Sequence, residues 1–188
     1  MSSAQSANSH RARRIDVAIA KPFRKELSAA WLKKVAADAL QLALPEGTPG
    51  QLSLLVTDDD TLRDLNRDFR GLDEVTDVLS FSPTHPGDWE GEDEAPQERV
   101  TASGDTESSS FILPPGEPPV VGEVVISYPQ AQRQAQDRQH TADRELAILI
   151  VHGVLHLVGH DHVEPKDAAL MQAMERDALS LVFRSISQ

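Results

Sequence analysis

Four of the chain's seven histidines fall within eleven residues, in the string His152-Gly-Val-Leu-His156-Leu-Val-Gly159-His-Asp-His162. The segment from Glu145 to Val158 consists almost wholly of helix-compatible residues. On a helix, His152 and His156 share one face with Cβ atoms about 5–6 Å apart, so two imidazoles can meet one ion. Gly159 supplies the stop, because glycine tolerates the left-handed turn that ends helices. Beyond that turn the chain can bring His162 back as a third nitrogen ligand. Three protein ligands and an open fourth position describe a catalytic zinc site and not a closed structural one. The expected metal ligands are therefore His152, His156 and His162, at the end of a helix in the C-terminal half.

A lone histidine on an apolar face is ordinarily a hydrogen-bonded core or surface residue. Clustering at the spacing H-x3-H-x2-G-x2-H sets this group apart. His160, directly after the glycine, is expected to point away from an ion held by its neighbours and is read as a surface or supporting residue. Asp161 is a carboxylate able to orient a ligand. The chain has no cysteine, which removes disulfides, thiolate metal sites and a cysteine nucleophile, and leaves His, Asp and Glu as donors.

At 188 residues the chain has the size of one domain. Met1 to Arg14 reads as a flexible basic tail whose composition holds no signal-peptide core, so a cytoplasmic protein is expected. The longest apolar run, Leu146 to Val151, falls well short of the roughly 20 residues a membrane span needs. No membrane partner is expected. The net charge of −12 at first argues against a polyanionic partner, since nucleic acids attract basic surfaces. Its distribution removes the objection. Between Pro83 and Pro119 nine acids face one base, so this stretch alone carries −8 and the rest of the chain only −4. The same stretch holds seven of the twelve prolines and a Ser-Ser-Ser run without any hydrophobic period, and it reads as a disordered acidic insertion in a single domain spanning 15–188.

Outside it, Ile15 to Ala20 alternates as a short strand. Ser28 to Leu42 carries Trp31, Leu32, Val35 and Leu40 at helical spacing behind Ser28 as a cap. Gln51 to Val56 reads as a buried strand. Thr57 or Asp58 then caps a helix with the apolar stripe Leu62, Leu65 and Phe69, which Gly71 ends. Val78 to Phe81 and Val120 to Ser127 are the next strands. From Pro129 onward the pattern is helical, with Thr141 a cap between two segments and Asp167 to Phe183 the last helix. These elements predict an α/β (α+β) fold, a small mixed sheet of about four strands packed with helices.

The histidine spacing is close to the metzincin peptidase signature H-E-x-x-H-x-x-G-x-x-H. Where those peptidases place the glutamate that takes a proton from water, this chain has Gly153. A peptidase without that base loses on the order of 10²–10⁴-fold in rate. Met171 and Met174 stand where a methionine turn would follow, but at helical spacing beside Leu170 and Leu179 they read as core of the last helix.

The string HGVLHLVGHDH followed by an acidic and apolar helix resembles the signature of the bacterial YbeY family of endoribonucleases, involved in ribosomal RNA maturation. Two further blocks agree: Leu65-Asn66-Arg67-Asp68-Phe69-Arg70-Gly71 leading to Thr76-Asp77-Val78-Leu79-Ser80-Phe81, and Gly122-Glu123-Val124-Val125-Ile126-Ser127. The resemblance runs in order from about Ile15 to Ala178. It departs in the acidic insertion and at Glu123, where the family commonly has Asp. The resemblance implies that His152, His156 and His162 are metal ligands and that Arg70 is the arginine implicated in activity. It also implies single-strand-specific cleavage in 16S ribosomal RNA 3′ end maturation and ribosome quality control, with ribosomal RNA and the small subunit and its proteins as partners.

Read from chemistry alone, Arg63, Arg67 and Arg70 lie along one flank of a helix and can meet phosphates, although Asp64 and Asp68 make a solvated ion-paired face the expectation for Arg63 and Arg67. The mechanism expected is metal-assisted phosphodiester cleavage, with Arg70 stabilising charge that develops on the phosphate. The RNA 2′-hydroxyl can serve as nucleophile, which lessens the need for a protein base. Zinc is the expected ion, one per chain, and nickel or another transition metal suits three imidazoles as well. The competing readings are a metzincin-like zinc peptidase and a non-catalytic ribosome assembly factor with a structural metal.

Overall fold

The computed structural model describes residues 13–84, 118–160 and 165–184. Its elements follow in the order β1 (Arg14–Ile19), α1 (Ala29–Ala43), β2 (Gln51–Thr57), α2 (Asp59–Arg70), β3 (Val78–Phe81), β4 (Val120–Ser127), α3 (Tyr128–Asp137), α4 (Ala142–Leu157) and α5 (Pro165–Arg184). The sheet order is β1-β2-β4-β3, with β1, β2 and β4 parallel and β3 antiparallel on the edge beside β4. This is the mixed four-stranded sheet expected. Residues 85–117, the bulk of the expected insertion, lie outside the described residues, as does His162.

Side chains in a strand point alternately to the two faces, and this sorts the core into two layers. Ile15, Ile19, Leu52, Leu54, Val56, Val124 and Ile126 share one face and pack with α1, α4 and α5 through residues such as Leu32, Leu40, Ile150 and Met171. On the other face Leu79 and Val125 pack beneath Leu62 of α2. Each such large apolar side chain, fully buried, contributes about 1.5–3 kcal/mol.

Helix starts follow the local chemistry. Ser28, Asp58, Ser127 and Thr141 each accept a hydrogen bond from a backbone N–H of the first turn, filling a donor that the helix leaves unpaired. Asp58, and not Thr57, is the cap of α2: its Oδ1 accepts from the Thr61 N–H at 2.9 Å while Thr57 completes β2. Gly71 ends α2 with φ +74°.

Two readings differ from expectation for tertiary reasons. Arg13 and Arg14, read as tail, belong to the fold: Arg14 opens β1, and the Arg13 guanidinium donates to the Leu44, Pro45 and Thr48 carbonyls beyond α1. Phe69, read as the end of an apolar stripe, is 65% exposed, its packing in the fold being an edge-to-face contact with Phe81 at the end of β3. Met171 is buried and Met174 packs against the core, whereas Leu170 is exposed. No described helix is long and apolar enough to cross a membrane.

Candidate metal centre

α4 is enclosed on nearly every side. From Glu145 to Leu157 every residue is buried except Ile148, His152 and His156, which are half-buried. These three are successive members of one i, i+4 line, so the only strip of this stretch that reaches solvent is the one that carries the histidines. Their rings meet edge to face, with centroids 4.5 Å apart, and the two Nε2 atoms are 3.1 Å apart. Two imidazoles on a tetrahedral zinc, each at about 2.0–2.1 Å, hold their nitrogens about 3.3 Å apart. The donor pair thus fits a shared metal with an adjustment of a few tenths of an ångström. His156 also lies in the last turn of α4, where the negative end of the helix dipole favours a cation.

Behind the pair stands a residue that the sequence reading did not single out. Glu175 of α5 has its Oε1 2.8 Å from His152 Nδ1. A carboxylate there accepts the Nδ1 proton, which leaves the lone pair on Nε2, the nitrogen that faces His156. This is the outer partner that metal-bound histidines ordinarily have. A 23-residue separation across two helices carries no local signal, and Glu175 was legible only as one of several acids on the last helix. Among the described residues no group of three or more His, Asp or Glu side chains converges to hold a metal. His160 is half-buried, and its backbone N–H donates to the Leu155 carbonyl, closing the turn at Gly159.

Gly153 faces away from the histidine pair, into the sheet. A Cβ at this position would lie 2.8 Å from Val124 Cγ1 and 3.0 Å from Ser80 Oγ. Its carbonyl accepts a hydrogen bond from Ser80 Oγ at 3.1 Å, and the Leu157 carbonyl accepts one from Ser82 Oγ at 3.0 Å. The residue that stands where a peptidase carries its glutamate is therefore the contact surface by which α4 presses on β3 and β4. A glutamate there would meet the sheet before it could reach solvent.

Arg70 is placed at the last position of α2, half-buried, in the layer on the opposite face of the sheet from α4. Of its two companions, Arg67 pairs with Asp64 and Asp68, as read from the sequence, while Arg63 makes a two-pronged bond to Asp73, at 2.7 and 3.0 Å, beyond the helix end. Both side chains lie on a solvated face. The Phe69 ring packs edge to face on Phe81, the last residue of β3, with centroids 5.0 Å apart.

Two charged groups hold the frame. Asp58 is held below the usual carboxylate range by the Thr61 hydroxyl and then by the Thr61 N–H, both of which donate to it. Glu145, wholly buried in the first turn of α4, is pushed up by its burial, against the pull of Arg138 and His140, whose Nε2 lies 3.0 Å from Glu145 Oε2.

Known proteins share the sequence and the fold of this chain. The family model described as Endoribonuclease YbeY matches residues 15–182. Among curated relatives, an Endoribonuclease YbeY of Dehalococcoides mccartyi is 39% identical over 165 residues, covering 88% of this chain and 87% of its own length. That of Symbiobacterium thermophilum is 41% identical over 150 residues, covering 79% and 83%. The fold resembles the solution structure of a Thermotoga maritima protein, with a TM-score of 0.54 and 21% identity over 92% of this chain and 91% of that one. With the match running from the first strand to the last helix, the chain belongs to the endoribonuclease YbeY family.

Proposed function

We propose that the protein is a metal-dependent endoribonuclease that cuts single-stranded ribosomal RNA, serving 16S 3′ end maturation and ribosome quality control at the small subunit in the cytoplasm. The observation that carries this reading is the histidine pair, Nε2 to Nε2 at 3.1 Å and backed by Glu175, in a chain of this family. His162 is the third ligand in this reading and zinc the expected ion, with nickel the alternative that the same donors accept. When bound, the ion supplies Lewis-acid polarisation of a phosphoryl oxygen.

The chain's own residues do the rest. Glu175 holds the Nδ1 proton of His152 and so keeps Nε2 turned to the site. Arg70 stabilises the charge that develops on the phosphate. Gly153 leaves the histidine pair without a carboxylate base at the peptidase position, and the RNA 2′-hydroxyl acts as the internal nucleophile: its oxygen bonds to phosphorus as the bond to the 5′ oxygen of the next nucleotide breaks, the 2′ proton passing to water and the departing oxygen taking a proton from water. The buried walls of α4 keep both imidazoles in one orientation, and such pre-organisation is what lowers a barrier at the reacting atoms.

The test sets the intact protein and His156→Ala against single-stranded ribosomal RNA and against casein, each with and without chelator, with elemental analysis of both proteins. Stoichiometric metal and chelator-sensitive RNA cleavage in the intact protein, both lost in the variant, are expected, with casein uncut. A metal-free His156→Ala protein that cleaves RNA at the normal rate overturns the reading.

A further inference from the structure

We infer that Phe69, supported by Phe81, is a stacking subsite for an unpaired base of the RNA, next to the nucleotide being cut. The inference rests on the ribonuclease reading above. Phe69 is the most exposed of the chain's large apolar residues among those described, at 65%. Leaving a phenylalanine in water forfeits most of the roughly 1.5–3 kcal/mol that its burial supplies, so nothing in the fold's own stability explains the residue type. Yet the ring is not loose. It sits edge to face on Phe81, with centroids 5.0 Å apart and planes at 64°, and Phe81 is itself anchored as the last residue of β3. An aromatic face held rigid and open to solvent is the feature that single-stranded nucleic acids use, because every base has a face to stack and the ring loses little freedom on binding.

The position of the ring ties it to the metal centre. Phe81 points to one face of the edge strand β3, and the next residue, Ser82, donates from its hydroxyl to the carbonyl of Leu157, the neighbour of His156. The aromatic pair, on the α2 face of the sheet, and the histidine pair, on the α4 face, therefore lie by the same C-terminal end of β3. Arg70 follows Phe69 directly, at the same end of α2. A strand whose scissile phosphate lies by the histidines passes this edge with its next base within reach of Phe69. Arg63 and Arg67 are engaged with Asp73, Asp64 and Asp68, so at this corner the phosphate role rests with Arg70 and the base role with Phe69. A duplex, whose bases are already stacked, gains nothing from such a platform, and the site would contribute to a preference for single strands.

The test uses the full chain with a single-stranded 2′-O-methyl oligonucleotide, which lacks the internal nucleophile and carries 2-aminopurine at successive positions. Stacking quenches this base. Quenching at one register is expected, with Phe69→Ala losing the quench and weakening binding roughly 5- to 150-fold, the span that ~1–3 kcal/mol per stacked base corresponds to. On cleavable RNA the loss is expected in KM more than in kcat, and Phe69→Trp restores both signals. The exposure of Phe69 keeps Phe69→Ala folded, which its thermal midpoint checks. Equal quenching and equal KM in Phe69→Ala overturn the subsite while leaving the ribonuclease reading in place. Failure of the intact protein to bind or cut single-stranded RNA overturns both.

Discussion

His152 on α4 and Glu175 on α5 stand 23 residues apart in the chain, yet His152 Nδ1 meets Glu175 Oε1 at 2.8 Å. One face of α5 is thereby tied to the histidine strip of α4, and the rest of that face, with Met171, Ala178 and Val182, is buried in the same core. The apolar packing sets where α5 lies, and the carboxylate uses that placement to choose a tautomer.

Removing the carboxylate tests the division of labour. Glu175→Ala is expected to weaken metal binding by about 10–100-fold, the usual cost of losing an outer-shell partner, with the fold kept. Competition against a chromophoric chelator reads the affinity, and Glu175→Gln, which can still accept from Nδ1, recovers part of it. Equal affinity in Glu175→Ala and the intact protein would refute the role.

Position 153 separates packing from catalysis. Alanine in an exposed helix is worth up to about 1 kcal/mol over glycine, but here its Cβ would sit 2.8 Å from Val124. Gly153→Ala is therefore expected to destabilise by about 1–3 kcal/mol, as overpacking does. Urea unfolding measures it. Gly153→Glu, which supplies the carboxylate of the peptidase motif, is expected to unfold or to cleave no casein.

Asp58 predicts an acid limb of stability. Its folded pKa lies below the ordinary value, so its contribution is present above the unfolded pKa of about 3.9 and is lost as pH falls through the folded value. Asp58→Asn keeps a capping oxygen without the titration. Compared with this variant, the intact protein should lose stability as urea unfolding is moved from pH 5 to lower pH. A difference that does not change with pH would count against the assignment.

Glu145 should show the opposite slope. Burial raises its folded pKa, so the folded state binds more protons than the unfolded one above about pH 4.3, and stability falls as pH rises through that window. Unfolding of the intact protein and Glu145→Gln at steps from pH 4 to 7 checks the sign. The intact protein is expected to lose ground to the variant as pH rises.

Much of the frame is legible in the sequence. The caps Ser28 and Thr141, the stop at Gly71 and the four strands are written in short windows, because a cap needs only an oxygen a few residues from an unpaired N–H. The pairing of His152 with His156 is of the same kind, since four residues on a helix make one face. The direction of Gly153 was not legible: sequence marks it as a missing base, and only the packing of α4 on Val124 and Ser80 explains why the side chain is absent. Phe69 continues the apolar period of α2, yet it is 65% exposed while Leu62 of the same stripe is fully buried, a difference that the helix period does not encode.

What the sequence determined by itself is the set of local elements, the histidine strip and the family, all carried by spacings within single segments. The tertiary structure alone decided that β4 lies between β2 and β3, that Arg63 finds Asp73, and that Glu175 stands behind His152. These are contacts between segments, and their partners are selected by how apolar faces stack, which no single segment encodes.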